Sequence, residues 1–313
     1  MSRLRLGLIG CGGRGRYHLR KIEDYDDVSI IAACDPVEAS LGKAVEEFQI
    51  GRQYGEIDDL LDNEQLDAII VATPAHLNHV AALPCLQRGL PVLLEKPPGL
   101  SLEETVQLRD AAAESGAQCM VGWNRRFDPF INEACSRIKE RGPMTQIVGE
   151  FHKSMKQALG SFPERLLDRL LLETPIHALD AIRSIAKSEV KEVHSFARRS
   201  CSDYRDVHSA LILFENGCVA NLIANYTTDA RLERYEIHGW WISAYLEGVN
   251  QGAIVCDGQR HEMTCSGDST QAQNRHFLDC VKEDRPITLP AANLDEAIKT
   301  MDLAQSILDS VVP

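Results

Sequence analysis

The chain has 313 residues, 44% hydrophobic and 25% charged, the balance of ordinary soluble domains, and at about 150 residues per domain it holds two. Thirty-three Lys and Arg against 46 Asp and Glu leave a net charge of −13, a field that repels phosphate backbones and acidic bilayers and so argues against nucleic-acid and membrane partners. No apolar run approaches the roughly 20 residues of a membrane span, and the apolar stretch within Met1–Ile9 stops at a glycine cluster, too short for a signal peptide. The ten cysteines contain no Cys-x-x-Cys spacing of zinc or redox sites. The sequence therefore reads as a cytoplasmic protein with reduced, buried thiols and no metal site.

Short β-branched apolar runs predict strands at Leu6–Ile9, Val28–Cys34, Ala68–Ala72, Val92–Leu94 and Cys119–Val121, separated by amphipathic helices such as Val37–Phe48 and Leu102–Glu114. Continuous apolar strands with helical crossovers mean a parallel sheet covered on both faces. From Trp123 the pattern changes. After a helix at Pro129–Glu140, strands are predicted at Gln146–Phe151, Val190–Arg198, Val207–Phe214, Cys218–Tyr226, Glu233–His238 and Ile242–Leu246, with Asn216-Gly217 as a two-residue type I′ hairpin turn. Asp295–Ser310 reads as a closing helix. The fold class is α/β: a doubly wound Rossmann domain over residues 1–122, then an α+β domain on a mainly antiparallel sheet over residues 123–313.

The first strand runs into Gly10-Cys11-Gly12-Gly13-Arg14-Gly15, a G-x-G-x-x-G that opens a helix. The three glycines serve a tight turn, close approach of backbone to a pyrophosphate, and close packing of helix on strand. The helix N-terminus adds free N–H groups and positive partial charge. Asp35, at the end of the second strand, can accept hydrogen bonds from an adenosine ribose 2′-OH and repels a 2′-phosphate. With Pro36-Val37-Glu38 following and no Arg at hand, NAD is favoured over NADP. The competing reading of Asp35 is a simple cap after the strand.

Glu95-Lys96-Pro97 puts a Lys at the carboxyl end of a buried strand, the edge where doubly wound sheets bind ligands. Pro97 biases Lys96 toward an extended conformation, which aims the ammonium. His18 reads as a packing residue of the first helix. Trp240-Trp241 read as core or subunit interface rather than a sugar-stacking platform.

Gly10–Gly15, Ala72-Thr73-Pro74 with His76, Glu95-Lys96-Pro97, and Gly122-Trp123-Asn124-Arg125-Arg126-Phe127-Asp128-Pro129 stand in an order and spacing similar to the Gfo/Idh/MocA oxidoreductases, the glucose–fructose oxidoreductase and inositol dehydrogenase group. The resemblance covers nearly the whole chain. It implies a Rossmann domain and a second, mainly antiparallel sheet whose free face builds homodimers or homotetramers. It also implies a cofactor site that adds Cys11, Arg14, Thr73, Pro74, His76, Glu95 and Lys96 to the glycines and Asp35. For Asn124 and Arg125, and for Arg126, a cofactor or substrate contact and an interdomain salt bridge both stay open.

The family's catalytic segment, Asp-x-x-x-His-x-x-Asp, is matched by Glu173-Thr174-Pro175-Ile176-His177-Ala178-Leu179-Asp180. By resemblance His177 is the acid/base, Asp180 its neighbour in the site, Lys96 the group that orients the substrate hydroxyl, and Glu173 stands at the first Asp. Residues three apart on a helix share a face, and a carboxylate can orient an imidazole. Two positions depart from the family: Glu173 is one methylene longer than Asp, and Pro175 replaces a glycine. Pro175 predicts a helix that starts with Thr174 as N-cap and Pro175 at N1. The family's small-residue run is replaced by Arg165–Leu172, which implies a different substrate pocket. The implied activity is hydride transfer between a nicotinamide and a hydroxyl or keto carbon of a sugar, sugar derivative or polyol. The alternatives are NAD-dependent glycoside cleavage through transient oxidation, and a non-catalytic NAD-sensing protein.

Overall fold

The computed structural model describes residues 3–248 and 250–311. The chain forms two compact units, one of residues up to Trp123 together with Thr270–Lys299, the other of Asn124–Ser269 together with residues from Thr300 on. A single division at residue 122/123 therefore misses the return of 270–299 to the first unit. Long-range partners draw it back: Arg275 Nη1 and Lys282 Nζ donate to Asp27 at 2.9 and 2.8 Å, and Val121 N–H donates to Ala292 O.

In the first unit, β1 (Leu4–Ile9), β2 (Val28–Cys34), β3 (Arg52–Tyr54), β4 (Ala68–Val71), β5 (Val92–Leu94) and β6 (Cys119–Val121) make a parallel sheet in the order β3-β2-β1-β4-β5-β6. This is the doubly wound order, which puts the switch point between β1 and β4. β4, β5 and β6 are buried throughout, as strands covered on both faces must be. β3 was not foreseen, because Arg52-Gln53-Tyr54 is a polar, largely exposed edge strand with no apolar signal. The helix Leu102–Ser115 shows how local sequence sets an element. Ser101 Oγ accepts from Glu104 N–H at 3.2 Å, Glu104 Oε2 returns to Leu100 N–H at 2.6 Å, and Gly116 closes the far end at φ 76°.

In the second unit, β7 (Met144–Ser154), β8 (Val190–Arg198), β9 (Val207–Phe214), β10 (Val219–Asn225), β11 (Thr227–Gly239), β12 (Ile242–Glu247), β13 (Gln251–Cys256) and β14 (Gln259–Glu262) form one sheet in the order β14-β13-β12-β11-β7-β10-β9-β8. Every pairing is antiparallel except β7 with β10. Period-two alternation is clean in β9, where His208, Ala210, Ile212 and Phe214 are buried while Ser209 and Leu211 are exposed. The helices Pro129–Arg141 and Ile176–Ala186 pack on the sheet. At Gly149 a Cβ would meet Ile182 Cδ1 at 2.9 Å, so the helix lies against bare backbone there. Phe196, Leu211, Ile223 and Tyr245 are exposed on these strands.

Two local readings need correction. In the β9–β10 turn Gly217 takes positive φ, at 84°, and Asn216 does not. Asn216 instead uses its Oδ1 to accept from Cys218 N–H at 3.0 Å, so this is a type I turn closed by a left-handed glycine rather than type I′. Of the two alternatives for Trp240 and Trp241, core is overturned and subunit interface stays open: they form the tip of the β11–β12 hairpin, with Trp241 88% exposed. Seven cysteines are buried, but Cys201 is exposed and Cys256 and Cys265 are half-buried. Among the described residues no helix is long and apolar enough to cross a membrane.

Candidate cofactor and catalytic sites

The glycine loop follows β1 and leads into the helix Gly13–Arg20. Gly10 has φ 91°, and a Cβ there would lie 2.5 Å from Ala72 O. At Gly15 a Cβ would lie 1.9 Å from Gly10 O, so only glycine lets the helix sit this close to the strand end. Around Gly12 and Gly13 a Cβ would meet nothing within 4 Å. The loop is thus tight where the fold needs it and open at the N-terminus of an eight-residue helix with no acid in its first turn. That open backbone fits a dinucleotide pyrophosphate.

Asp35 closes the other side of the loop. Its Oδ2 accepts from Cys11 N–H at 2.7 Å and its Oδ1 from Val37 N–H at 2.8 Å. Asp35 thus ties the glycine loop to the end of β2, as the cap reading expects. Burial, then the charge of Asp35, pushes the Cys11 thiol up to about 12.

Glu95, after β5, is the hub of the first unit's polar interior. Its Oε1 accepts from Arg14 Nε at 2.7 Å and meets His18 Nε2 at 2.8 Å, while Oε2 accepts from Lys96 N–H at 3.2 Å. Burial alone would raise this carboxyl, but Arg14 and then His18 outweigh it and hold Glu95 well below the usual carboxylate range. His18 is fully buried and its Nδ1 lies 2.9 Å from Asn274 Oδ1. Asn78 ties the motif further, donating to Glu95 O at 2.9 Å and Pro97 O at 2.8 Å and accepting from Thr73 Oγ1 at 2.8 Å. Lys96 is half-buried and precedes a cis peptide to Pro97. Pro74 is exposed, and His76 stands in the following turn, its Nδ1 buried without a hydrogen-bond partner among the described residues.

The second group of candidates lies in the second unit. Arg125 sends Nε and Nη2 to the two oxygens of Glu233 at 2.6 and 2.7 Å, and Nη1 to Asn124 Oδ1 at 2.9 Å. Arg126 grips Asp180, and Asn124 Nδ2 reaches Ser269 Oγ at 3.1 Å. Each of these arginines is ion-paired to a buried acid of its own unit, Arg125 to Glu233 and Arg126 to Asp180. Asp180 is likewise committed. Its partners are Arg126 and Thr300 Oγ1 at 3.0 Å, and no hydrogen bond joins it to the His177 ring among the described residues. Asp180 shares a helical face with His177, but a buried guanidinium is the stronger claimant.

His177 is buried in the first turn of the helix Ile176–Ala186. Thr174 does not cap that helix. Pro175 precedes it in the helical region, and the Thr174 hydroxyl bonds instead to Glu173 and accepts from Lys153 Nζ at 3.1 Å. Glu173 Oε2 also accepts from Lys153 Nζ at 3.0 Å and from the Tyr226 hydroxyl at 2.9 Å. The sequence offers no local signal for Asn78, Asn274, Lys153 or Tyr226, and His18 reads there as packing only. Only His18 carried a signal, as a polar residue on the inner side of the first helix.

Residues 4–123 match the family described as "Oxidoreductase family, NAD-binding Rossmann fold", and residues 139–240 match the "GFO/IDH/MocA C-terminal domain". The scyllo-inositol 2-dehydrogenase (NAD(+)) of Bacillus subtilis (strain 168) is 25% identical over 269 residues, 83% of this chain and 75% of that protein. The UDP-N-acetylglucosamine 3-dehydrogenase of Acidithiobacillus ferrooxidans is 26% identical over 302 residues, 92% of this chain and 91% of that one. Among solved structures, an oxidoreductase from Agrobacterium radiobacter in complex with NAD+, L-tartaric acid and magnesium superposes with a TM-score of 0.85 at 19% identity, over 99% of this chain and 96% of that chain, which shows the shared fold. The chain belongs to the Gfo/Idh/MocA family and is an NAD-binding oxidoreductase of that family.

Proposed function

We propose that this oxidoreductase acts on a hydroxyl-bearing carbon of a sugar, sugar derivative or polyol, with His177 as the base that takes the hydroxyl proton. The observation that carries this reading is the polar cluster at the start of the helix Ile176–Ala186. There a buried His177 follows, by four residues, a Glu173 carboxylate already bound to an ammonium and a phenol. Such a surface suits a neutral ligand rich in hydroxyls. The inositol and UDP-N-acetylglucosamine dehydrogenases similar to this chain support the substrate class.

Gly12 and Gly13 admit the pyrophosphate, Asp35 accepts from the ribose, and the Glu95 hub fixes the backbone that carries Lys96. NAD, when bound, supplies the hydride acceptor. The family resemblance gives Lys96 the role of orienting the substrate hydroxyl and His177 that of the base; general-base catalysis of this type contributes about 10²–10⁴-fold. Asp180, held by Arg126 and Thr300, fixes the helix that carries His177 rather than the ring itself. The test is NADH formation at 340 nm with scyllo-inositol, myo-inositol, UDP-N-acetylglucosamine and a panel of aldoses. NAD binding without turnover of any of them would sink the reading, and release of an aglycone without net NADH would replace it by glycoside cleavage.

The same reading assigns the first unit to the cofactor and the second to the substrate, in a cytoplasmic enzyme. The exposed Phe196, Leu211 and Ile223 on the open sheet support self-association through that face. Sedimentation of wild type against Leu211→Glu checks this, a dimer or tetramer falling to monomer being the expected result.

A further inference from the structure

Lys153 and Tyr226 stand at the ends of β7 and β10, the parallel pair at the middle of the second sheet, one step beyond the register pair His152 and Asn225. Alternation turns both to the face on which Phe151 and Ala224 are buried. From there they converge on a single atom. Glu173 Oε2 receives Lys153 Nζ at 3.0 Å, the Tyr226 hydroxyl at 2.9 Å and the Thr174 hydroxyl. Tyr226 is fully buried against Met155, Leu167 and Leu170, so its ring cannot follow a carboxylate that moves. Its hydroxyl also lies 3.1 Å from Leu170 O, but a carboxylate is the stronger acceptor for its one proton. Burial, then the Glu173 charge, raises Tyr226 well above the ordinary phenol range, which keeps that proton in place.

Glu173 lies in the helical region, at φ −72° and ψ −66°, four residues before His177. The turn of Thr174 and Pro175 joins it directly to the helix that carries His177. Where the resembling family has Asp, the extra carbon of Glu extends the carboxylate by about 1.5 Å, and it is at this extended position that the three donors sit. We infer that Lys153 and Tyr226 are positioning residues for Glu173, and that the carboxylate they hold accepts a second hydroxyl of the polyol whose first hydroxyl His177 deprotonates. This rests on the polyol reading above and deepens it: the extra methylene and its donors act as one unit, so the family's own Asp does not substitute for Glu here.

The test compares wild type with Glu173→Asp, Lys153→Met, Lys153→Arg and Tyr226→Phe, using the panel compound that wild type oxidises fastest. KM and kcat are measured separately, with NADH binding by fluorescence and thermal unfolding on each protein. Glu173→Asp, Lys153→Met and Tyr226→Phe are expected to raise KM about tenfold or more, the cost of leaving a substrate hydroxyl poorly accepted, while NADH affinity stays within about twofold because its determinants are in the other unit. Lys153→Arg, which keeps the charge, recovers most of the loss. A Glu173→Asp enzyme with wild-type KM overturns the inference, as does an unmoved KM in both Lys153→Met and Tyr226→Phe. Loss of NADH binding and of cooperative unfolding in both of these, unrelieved in Lys153→Arg, shows a structural role and overturns it too. If wild type oxidises no panel compound, the polyol reading itself fails and this inference falls with it.

Discussion

Arg126 grips Asp180 through two parallel bonds, Nε to Oδ2 and Nη2 to Oδ1, each 2.8 Å long, with the two side chains 1% and 0% exposed. Thr300 Oγ1 adds a third bond to Asp180 and itself accepts from Arg183 Nη1 at 2.8 Å. A residue that aligns with a catalytic position thus serves as the anchor between the helix Ile176–Ala186 and the segment Asn124–Phe127.

Asp180→Ala should therefore act first on stability. It leaves a buried guanidinium without its counter-charge, a change that costs about 3–5 kcal/mol, visible as a lower urea midpoint. An unchanged midpoint with activity lost would instead return Asp180 to the chemistry of the site.

The glycine loop separates folding from binding. Gly15→Ala forces a Cβ to within 1.9 Å of Gly10 O and is expected to unfold the protein or lower its melting temperature by several degrees. Gly12→Ala meets no protein atom within 4 Å, so it should melt like wild type yet bind NADH at least about tenfold more weakly, because its methyl stands where the pyrophosphate must approach. Equal NADH affinity in Gly12→Ala would mean that the open cradle is not the phosphate site.

Asp35 accepts backbone N–H groups from both Cys11 and Val37. Asp35→Asn keeps one acceptor oxygen and removes the charge. Fluorescence titration should show NADH affinity falling about tenfold while NADPH affinity rises, since the repulsion of a 2′-phosphate has been removed. A parallel loss for both cofactors would assign Asp35 to loop structure alone.

His208 provides a pH effect on stability. It is fully buried on β9, and neither ring nitrogen has a hydrogen-bond partner among the described residues. Burial, aided by Arg205 and opposed by Asp206, pushes it down to about 4. Above pH 6.5 the ring is neutral in both folded and unfolded chains. As pH falls from 6.5 toward 4 only the unfolded chain takes up the proton, so stability declines across that window, by about 3 kcal/mol in all. Urea midpoints at pH 7.5 and 4.5 should converge in His208→Leu relative to wild type; an identical pH dependence in the two proteins would refute it.

The parts legible in the sequence were those whose partners are near in the chain or whose backbone demands a residue type. Gly10 and Gly15 could be read because turn and packing allow nothing larger, and Asp35 because a carboxylate at a strand end has few roles. The Glu95 hub was half visible. Glu95-Lys96-Pro97 stood out, but His18 lies 77 residues from Glu95 and 256 from Asn274, separations no local pattern spans. The same holds for Glu173, whose donors Lys153 and Tyr226 are 20 and 53 residues away. The sequence points to Thr174 as a cap because caps are local. The nearby Lys153 and Glu173 claimed its hydroxyl, and only the folded sheet brings Lys153 there.

The return of Thr270–Lys299 means that the first unit is not a continuous piece of the gene product. The backbone passes from one unit to the other after Trp123, after Ser269 and after Lys299. A fragment cut at residue 122 would keep all six strands yet lose Asn274 beneath His18, the rung that Ala292 gives to β6, and both cations that hold Asp27. Recombination that exchanges the second unit between relatives must therefore carry two separate segments and three junctions rather than one, the last of them within the helix Leu294–Asp309.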